Sequence, residues 1–145
     1  MRAIHVPLKL INLQDDGFHL LMEIVVFGES HLAVLDTGAS RSVFDKTLLE
    51  KHLSDDPAIS RENTEENYAT TLFSTSSTLM ATIPVLKLNG LKLKKYTAVG
   101  LDLDSVNASY QQMGHPVISA IIGGDILFQH KAVINYKKLQ LKLYK

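Results

Sequence analysis

The stretch AVLDTGASRSVFD, residues 33–45, decides how this chain is read. An apolar strand runs straight into Asp36-Thr37-Gly38, so an acid stands where a buried segment meets a glycine turn. An ordinary Asx turn at a strand end needs the same residue types, because the aspartate side chain bonds the backbone two residues on. The tripeptide alone therefore leaves two readings open: a turn, or half of a catalytic site. Its surroundings favour the second. A preceding apolar strand fixes the carboxylate in a low-dielectric setting. Gly38 lets another backbone approach closely. Thr37 and Ser40 supply hydroxyls that can orient a carboxylate or lock the turn.

A second stretch of the same design lies downstream. Residues 117–122 are an apolar run broken only by Ser119 and ending in Gly123-Gly124, as in a strand buried on both faces. Each run is followed by a predicted helix. Asp45 opens DKTLLEKHL with Leu48, Leu49 and His52 at helical spacing, and Asp125 stands before a short helix over residues 126–130. This likeness of pattern fits a domain made of two related halves. Asp125 is read as a helix cap or as a partner for backbone near Gly38, in preference to a second catalytic acid.

Further outward, most segments read as strand. Residues 19–27 and 31–35 are joined by a turn at Gly28-Glu29-Ser30, and residues 68–73 and 78–88 flank the polar turn Ser74-Thr75-Ser76-Ser77. Asn89-Gly90 signals a type I′ hairpin into residues 91–103. Residues 54–67 and 104–116 read as loops. Residues 132–136 and 139–144 finish as strands, the last with Leu139, Leu141 and Leu143 on one face. The expectation is a single mainly β domain over residues 1–145, a compact closed barrel with one or two short helices.

Composition narrows the function. The 145 residues carry 15 Lys and Arg against 15 Asp and Glu, for a net charge of zero. The basic residues are scattered, which argues against a nucleic-acid stripe or a polybasic membrane patch. With no cysteine, disulfide scaffolds, thiol catalysis and cysteine-bound metals are excluded. The six histidines show no HExxH spacing, so no metal is expected. No P-loop and no Gly-x-Ser-x-Gly elbow is present. Asp102 and Asp104 read as solvated loop residues, and Tyr110, Gln111 and Gln112 as surface loop in preference to a substrate contact. No apolar run reaches the roughly 20 residues of a membrane span. His5, Pro7 and Lys9 interrupt the place where a signal peptide has its apolar centre, so a soluble cytoplasmic protein is expected.

DTGAS, then IIGGDIL, then HKAVINYKKLQLKL resembles the retropepsin-like family of single-domain aspartic proteases, and its bacterial branch in particular. The resemblance runs from about residue 19 to the C-terminus and implies a retropepsin-like closed β-barrel. It implies that Asp36 is the catalytic carboxylate and that Thr37 binds the matching loop of a partner. The Gly38 carbonyl would receive a substrate N–H, and Ala39 and Ser40 would line the cleft floor. Ile121, Ile122 and Gly123 match the second strand-and-glycine element, with Ile121 as a pocket wall. Ser74, Thr75, Ser76 and Ser77 would form the flap tip. Leu35, Ile121 and Phe73 would favour apolar substrate side chains. Two departures stand out. No glycine lies between Gly38 and Gly90, although such flaps are often glycine-rich. Gly124 and Ser40 occupy the positions of the arginine and acid whose ion pair supports retroviral dimers.

Cleaving a peptide bond needs an activated water and a proton donor, which two adjacent carboxylates sharing one proton can supply. One Asp-Thr-Gly per chain supplies one of them. The expected function is thus aspartic endopeptidase, active as a homodimer with Asp36 from each copy, without cofactor, on a peptide or protein substrate. The alternative is a protease-fold peptide-binding or scaffold module with little turnover. A third option is a monomer that takes its second carboxylate from a different partner.

Overall fold

The computed structural model describes residues 2–55, 61–62, 68–70, 75–77 and 79–145. In chain order the elements are β1 (Ala3–Pro7), β2 (Lys9–Asn12), a 3-10 turn (Gln14–Asp16), β3 (Phe18–Val26), β4 (Glu29–Leu35), β5 (Val43–Asp45) and α1 (Lys46–Asp55). Then come β6 (Arg61–Glu62), β7 (Tyr68–Thr70), β8 (Thr75–Ser77), β9 (Leu79–Leu88), β10 (Leu91–Leu101) and α2 (Asp104–Gln112). The chain ends with β11 (Ala120–Ile122), α3 (Gly124–Gln129), β12 (Val133–Asn135) and β13 (Gln140–Tyr144).

Six strands close a barrel in the order β3-β4-β11-β5-β10-β9, with Val25↔Lys87 and Val26↔Leu86 sealing β9 back onto β3. The mainly β, closed-barrel expectation is therefore met. Strand β11, late in the sequence, is inserted between β4 and β5. It pairs parallel with β4 (Ile122↔Leu35) and antiparallel with β5 (Ile121↔Val43). The loop joining β4 to β5, residues 36–42, must therefore straddle the end of β11.

Alternation sends the side chains of these strands into two cores. Leu20, Leu35, Phe44, Ala120 and Ile122 point into the barrel interior. Leu21, Val34, Val43 and Ile121 point outward, into a second core closed by Leu103 and Tyr110 of the α2 region. The runs around Val34 and Ile121 are apolar throughout because both of their faces are covered.

A separate three-stranded sheet, β1-β13-β12, closes the structure, with β1 pairing antiparallel to β13 from Ala3↔Tyr144 to Pro7↔Gln140. Leu141 and Leu143 are fully buried and Leu139 packs beside them, as their alternation predicts. The last strand thus takes this chain's own N-terminal segment as its neighbour.

Several local expectations are corrected. Residues 104–116 are not all loop, since α2 occupies nine of them. The first hairpin turn is Phe27-Gly28, both at positive φ (55° and 72°), as a type I′ turn requires. At Asn89-Gly90 the hairpin forms, but only Asn89 (φ 56°) is left-handed, so the turn is not type I′. Thr75–Ser77 is a strand paired with Tyr68–Thr70, not a turn. Ser74 and the other residues linking β7 to β8 lie outside the described residues, as do Phe73 and most of the stretch 54–67. No helix among the described residues is long and apolar enough to cross a membrane.

Candidate active site

Asp36 is the first residue beyond β4, and its backbone N–H donates to the Ile122 carbonyl at 2.9 Å, continuing the β4–β11 ladder by one bond. The chain then turns. Gly38 N–H donates to Asp36 Oδ1 at 2.9 Å, and Ala39 N–H to the Asp36 carbonyl at 3.2 Å. This is the Asx turn that the tripeptide alone would suggest, and here it aims the carboxylate outward. Asp36, Thr37, Gly38 and Ser40 are exposed, while Ala39 is buried in the outer core with Ile121.

Beneath the turn, β11 runs on as Gly123-Gly124. Gly124 N–H donates to the Ala39 carbonyl at 2.7 Å. A Cβ on Gly123 would lie 2.6 Å from that same oxygen, so only glycine fits under the loop. The repeated strand-and-glycine pattern thus has a physical cause: one turn is seated on the other.

Asp125 fastens the pair. Its Oδ1 accepts from the backbone N–H of Ser42 (2.8 Å) and from the Ser42 hydroxyl (2.7 Å), and its Oδ2 accepts from the Tyr96 hydroxyl (2.8 Å). The Ser42 Oγ in turn accepts from Gly123 N–H at 2.8 Å. Burial, and then the charge of Asp125, raise the pKa of the Tyr96 phenol, which keeps it a donor. Asp125 does not cap α3. The N-cap is Gly123, without a side-chain bond. The carboxylate bonds the loop at Ser42, the second of the two roles read from sequence but at a different residue.

The remaining sequence-derived site residues divide. Ile121 shares the outer core with Ala39. Ile122 is fully buried in the barrel interior. Thr75, Ser76 and Ser77 lie on the second arm of the β7–β8 hairpin. Sequence reading missed Ser42 and Tyr96, which no short motif marks. It placed Tyr110 in a surface loop, whereas the residue is 3% exposed on α2, with its hydroxyl 2.7 Å from His19 Nδ1. Burial first, and the Asp36 carboxylate second, push the Tyr110 phenol up to about 12. The apolar spacing Leu103, Val106, Tyr110 was the available signal for α2. Among the described residues no group of three His, Asp or Glu side chains is arranged to hold a metal.

No protein-family model matches the sequence, and no curated protein matches it significantly. Solved structures do match. A retropepsin-like aspartic protease from Rickettsia conorii superposes with a TM-score of 0.56 at 20% identity, over 99% of this chain and 96% of that one. The retroviral protease-like domain of Ddi1 from Leishmania major gives a TM-score of 0.53 at 15% identity, over 86% of this chain and 87% of that one. At such identities the likeness speaks for architecture, and on it this chain has the fold of the retropepsin-like aspartic proteases.

Proposed function

We propose that the protein is an aspartic endopeptidase whose catalytic pair is Asp36 from two copies of the chain. The observation that carries this reading is the contrast between its two candidate acids. The Asp36 carboxylate is exposed, at the rim of a seated glycine turn, with one internal donor on Oδ1. Asp125 is engaged by three donors on the loop and on β10, which leaves it unsuited as the second acid. A second exposed Asp36, brought up by two-fold symmetry, supplies what one chain lacks.

In such a pair the carboxylates share one proton. The ionised one takes a proton from water as the water oxygen bonds to the peptide carbonyl carbon. The protonated one gives its proton to the carbonyl oxygen. Collapse of the tetrahedral adduct, with a proton passed to nitrogen, breaks the C–N bond. Atoms and charge balance without a cofactor. The β7–β8 hairpin is the candidate flap over the bound peptide.

The test is incubation with a mixed peptide library between pH 4 and 7, beside Asp36→Asn. Wild type should cleave, and the variant should lose roughly 10²–10⁴-fold or more of the rate. Specific activity should rise with protein concentration in step with dimer formation seen by sedimentation. Cleavage undiminished in Asp36→Asn, or full activity of a persistent monomer, would sink the proposal. Peptide binding without any cleavage would leave a scaffold module instead.

A further inference from the structure

The β3–β4 ladder runs Leu21↔Val34, then Leu20↔Leu35. His19 and Asp36 are therefore the next residues along the two strands. Strand alternation puts them on the outer-core side, the side of Leu21, Val34 and Tyr110. The chemistry there is consistent. The Tyr110 hydroxyl sits 2.7 Å from His19 Nδ1, and the two rings meet edge-on with centroids 5.9 Å apart. His19 is exposed, whereas Tyr110 is buried and held on a firmly tied helix. Asn107 of α2 exchanges two bonds with the backbone of Ile118, at 3.0 and 2.8 Å, and His115 Nε2 meets the Asn12 carbonyl at 2.6 Å.

This geometry orients the imidazole. The Tyr110 phenol stays protonated across the physiological range, so its O–H is available to Nδ1 of the neutral ring. When the phenol donates there, the ring proton sits on Nε2. If the ring takes a second proton, Nδ1 becomes the donor and the phenol oxygen accepts, while Nε2–H is unchanged. With the phenol as donor, both states keep an N–H on Nε2 of an exposed residue whose register neighbour is Asp36.

We propose that His19 contacts the substrate and that Tyr110 is its positioning residue: the imidazole, oriented by the phenol, offers Nε2–H to a main-chain carbonyl oxygen of a peptide lying across Asp36. The ligand rests on the endopeptidase reading; the Nε2–H tautomer does not. A mere latch tying α2 to β3 would affect stability and leave substrate affinity alone.

Two readouts separate these outcomes. Ring-nitrogen NMR of the intact protein should show His19 as the Nε2–H tautomer, and Tyr110→Phe should turn it into a tautomer mixture. With the fastest-cleaved library peptide, His19→Ala should raise KM about 3–10-fold, the worth of one hydrogen bond, with kcat within about twofold. His19→Gln, whose amide nitrogen reaches a similar place, should restore most of the loss. An unchanged KM in His19→Ala, or a proton on Nδ1 in the wild type, overturns the proposal even where Asp36-dependent cleavage persists. If nothing is cleaved, the endopeptidase reading fails by itself. Retention of library peptides by Asp36→Asn, with and without His19→Ala, then decides the role of His19. Weaker retention in the double variant supports it, and equal retention or none overturns it.

Discussion

At Gly123 the fold has no room for even a methyl group. The virtual Cβ lies 2.6 Å from the Ala39 carbonyl oxygen and 3.1 Å from backbone carbon of Arg41, and neither can step aside without moving the Asp36 loop. One position on, a Cβ at Gly124 would make its nearest contact at 3.4 Å, and the residue opens a helix, where alanine is favoured over glycine. Gly123→Ala should therefore cost about 1–3 kcal/mol or more, while Gly124→Ala should be near neutral or slightly stabilising. Thermal unfolding of the two variants side by side checks this, and equal losses would contradict the seating of β11 under the loop. The Asp36 turn was legible from its neighbours in sequence. Its fastening through Tyr96, Ser42 and Asp125 was not, because those side chains come from three separate elements.

At the scale of elements, β4 carries a second dependence on solution conditions. His31 on that strand is partly buried, with Nδ1 2.9 Å from the Ser119 hydroxyl and Nε2 4.0 Å from Glu29. Burial lowers its pKa below the usual imidazole value. Glu29 works against that shift, while His52 and Lys51 add to it. The folded chain thus resists a proton that the unfolded chain accepts. The contribution to stability is complete above about pH 6.5 and is lost as pH falls through the lowered folded value. Urea midpoints at pH 7.5 and 5 should show a larger acid loss in wild type than in His31→Asn. Parallel losses would remove His31 as a source of acid sensitivity.

Elements differ in how plainly the sequence announces them. Strands β3, β4, β9 and β10 are long or bounded by clear turns, and they were readable to within a few residues. The α2 segment was read as loop because Asn107, Ser109 and the following Gly114 and Pro116 are turn formers. Its helix is instead decided by tertiary contacts of Leu103 and Tyr110 and by the Asn107 bonds to Ile118. Strand β1 shows alternating Ile4 and Val6, with Leu8 just beyond its end, all buried. Its partner is β13, at the other end of the chain, and no local signal points there.

For the molecule as a whole, that terminal sheet is the closing seam. Val6 is 1% exposed and faces the same core as Leu141 and Leu143, whereas His5 beside it faces outward. Val6→Asp should cost about 3 kcal/mol or more by leaving a carboxylate in apolar surroundings, and His5→Asp should change little. Urea denaturation of both variants measures the difference. Comparable tolerance at the two sites would mean that the seam contributes little. Because β13 already has β1 beside it, two folded copies can meet without exchanging these strands.

The pairing Ala3↔Tyr144 also sets a clock. Strand β1 is made well before β13, and at roughly 5–20 residues per second several seconds or more pass before its partner exists. Until β13 has left the exit tunnel, β1 has no partner to close on. A nascent copy of this domain is therefore unfinished in shape until β13 has emerged, and any cutting activity housed in this fold begins only after that.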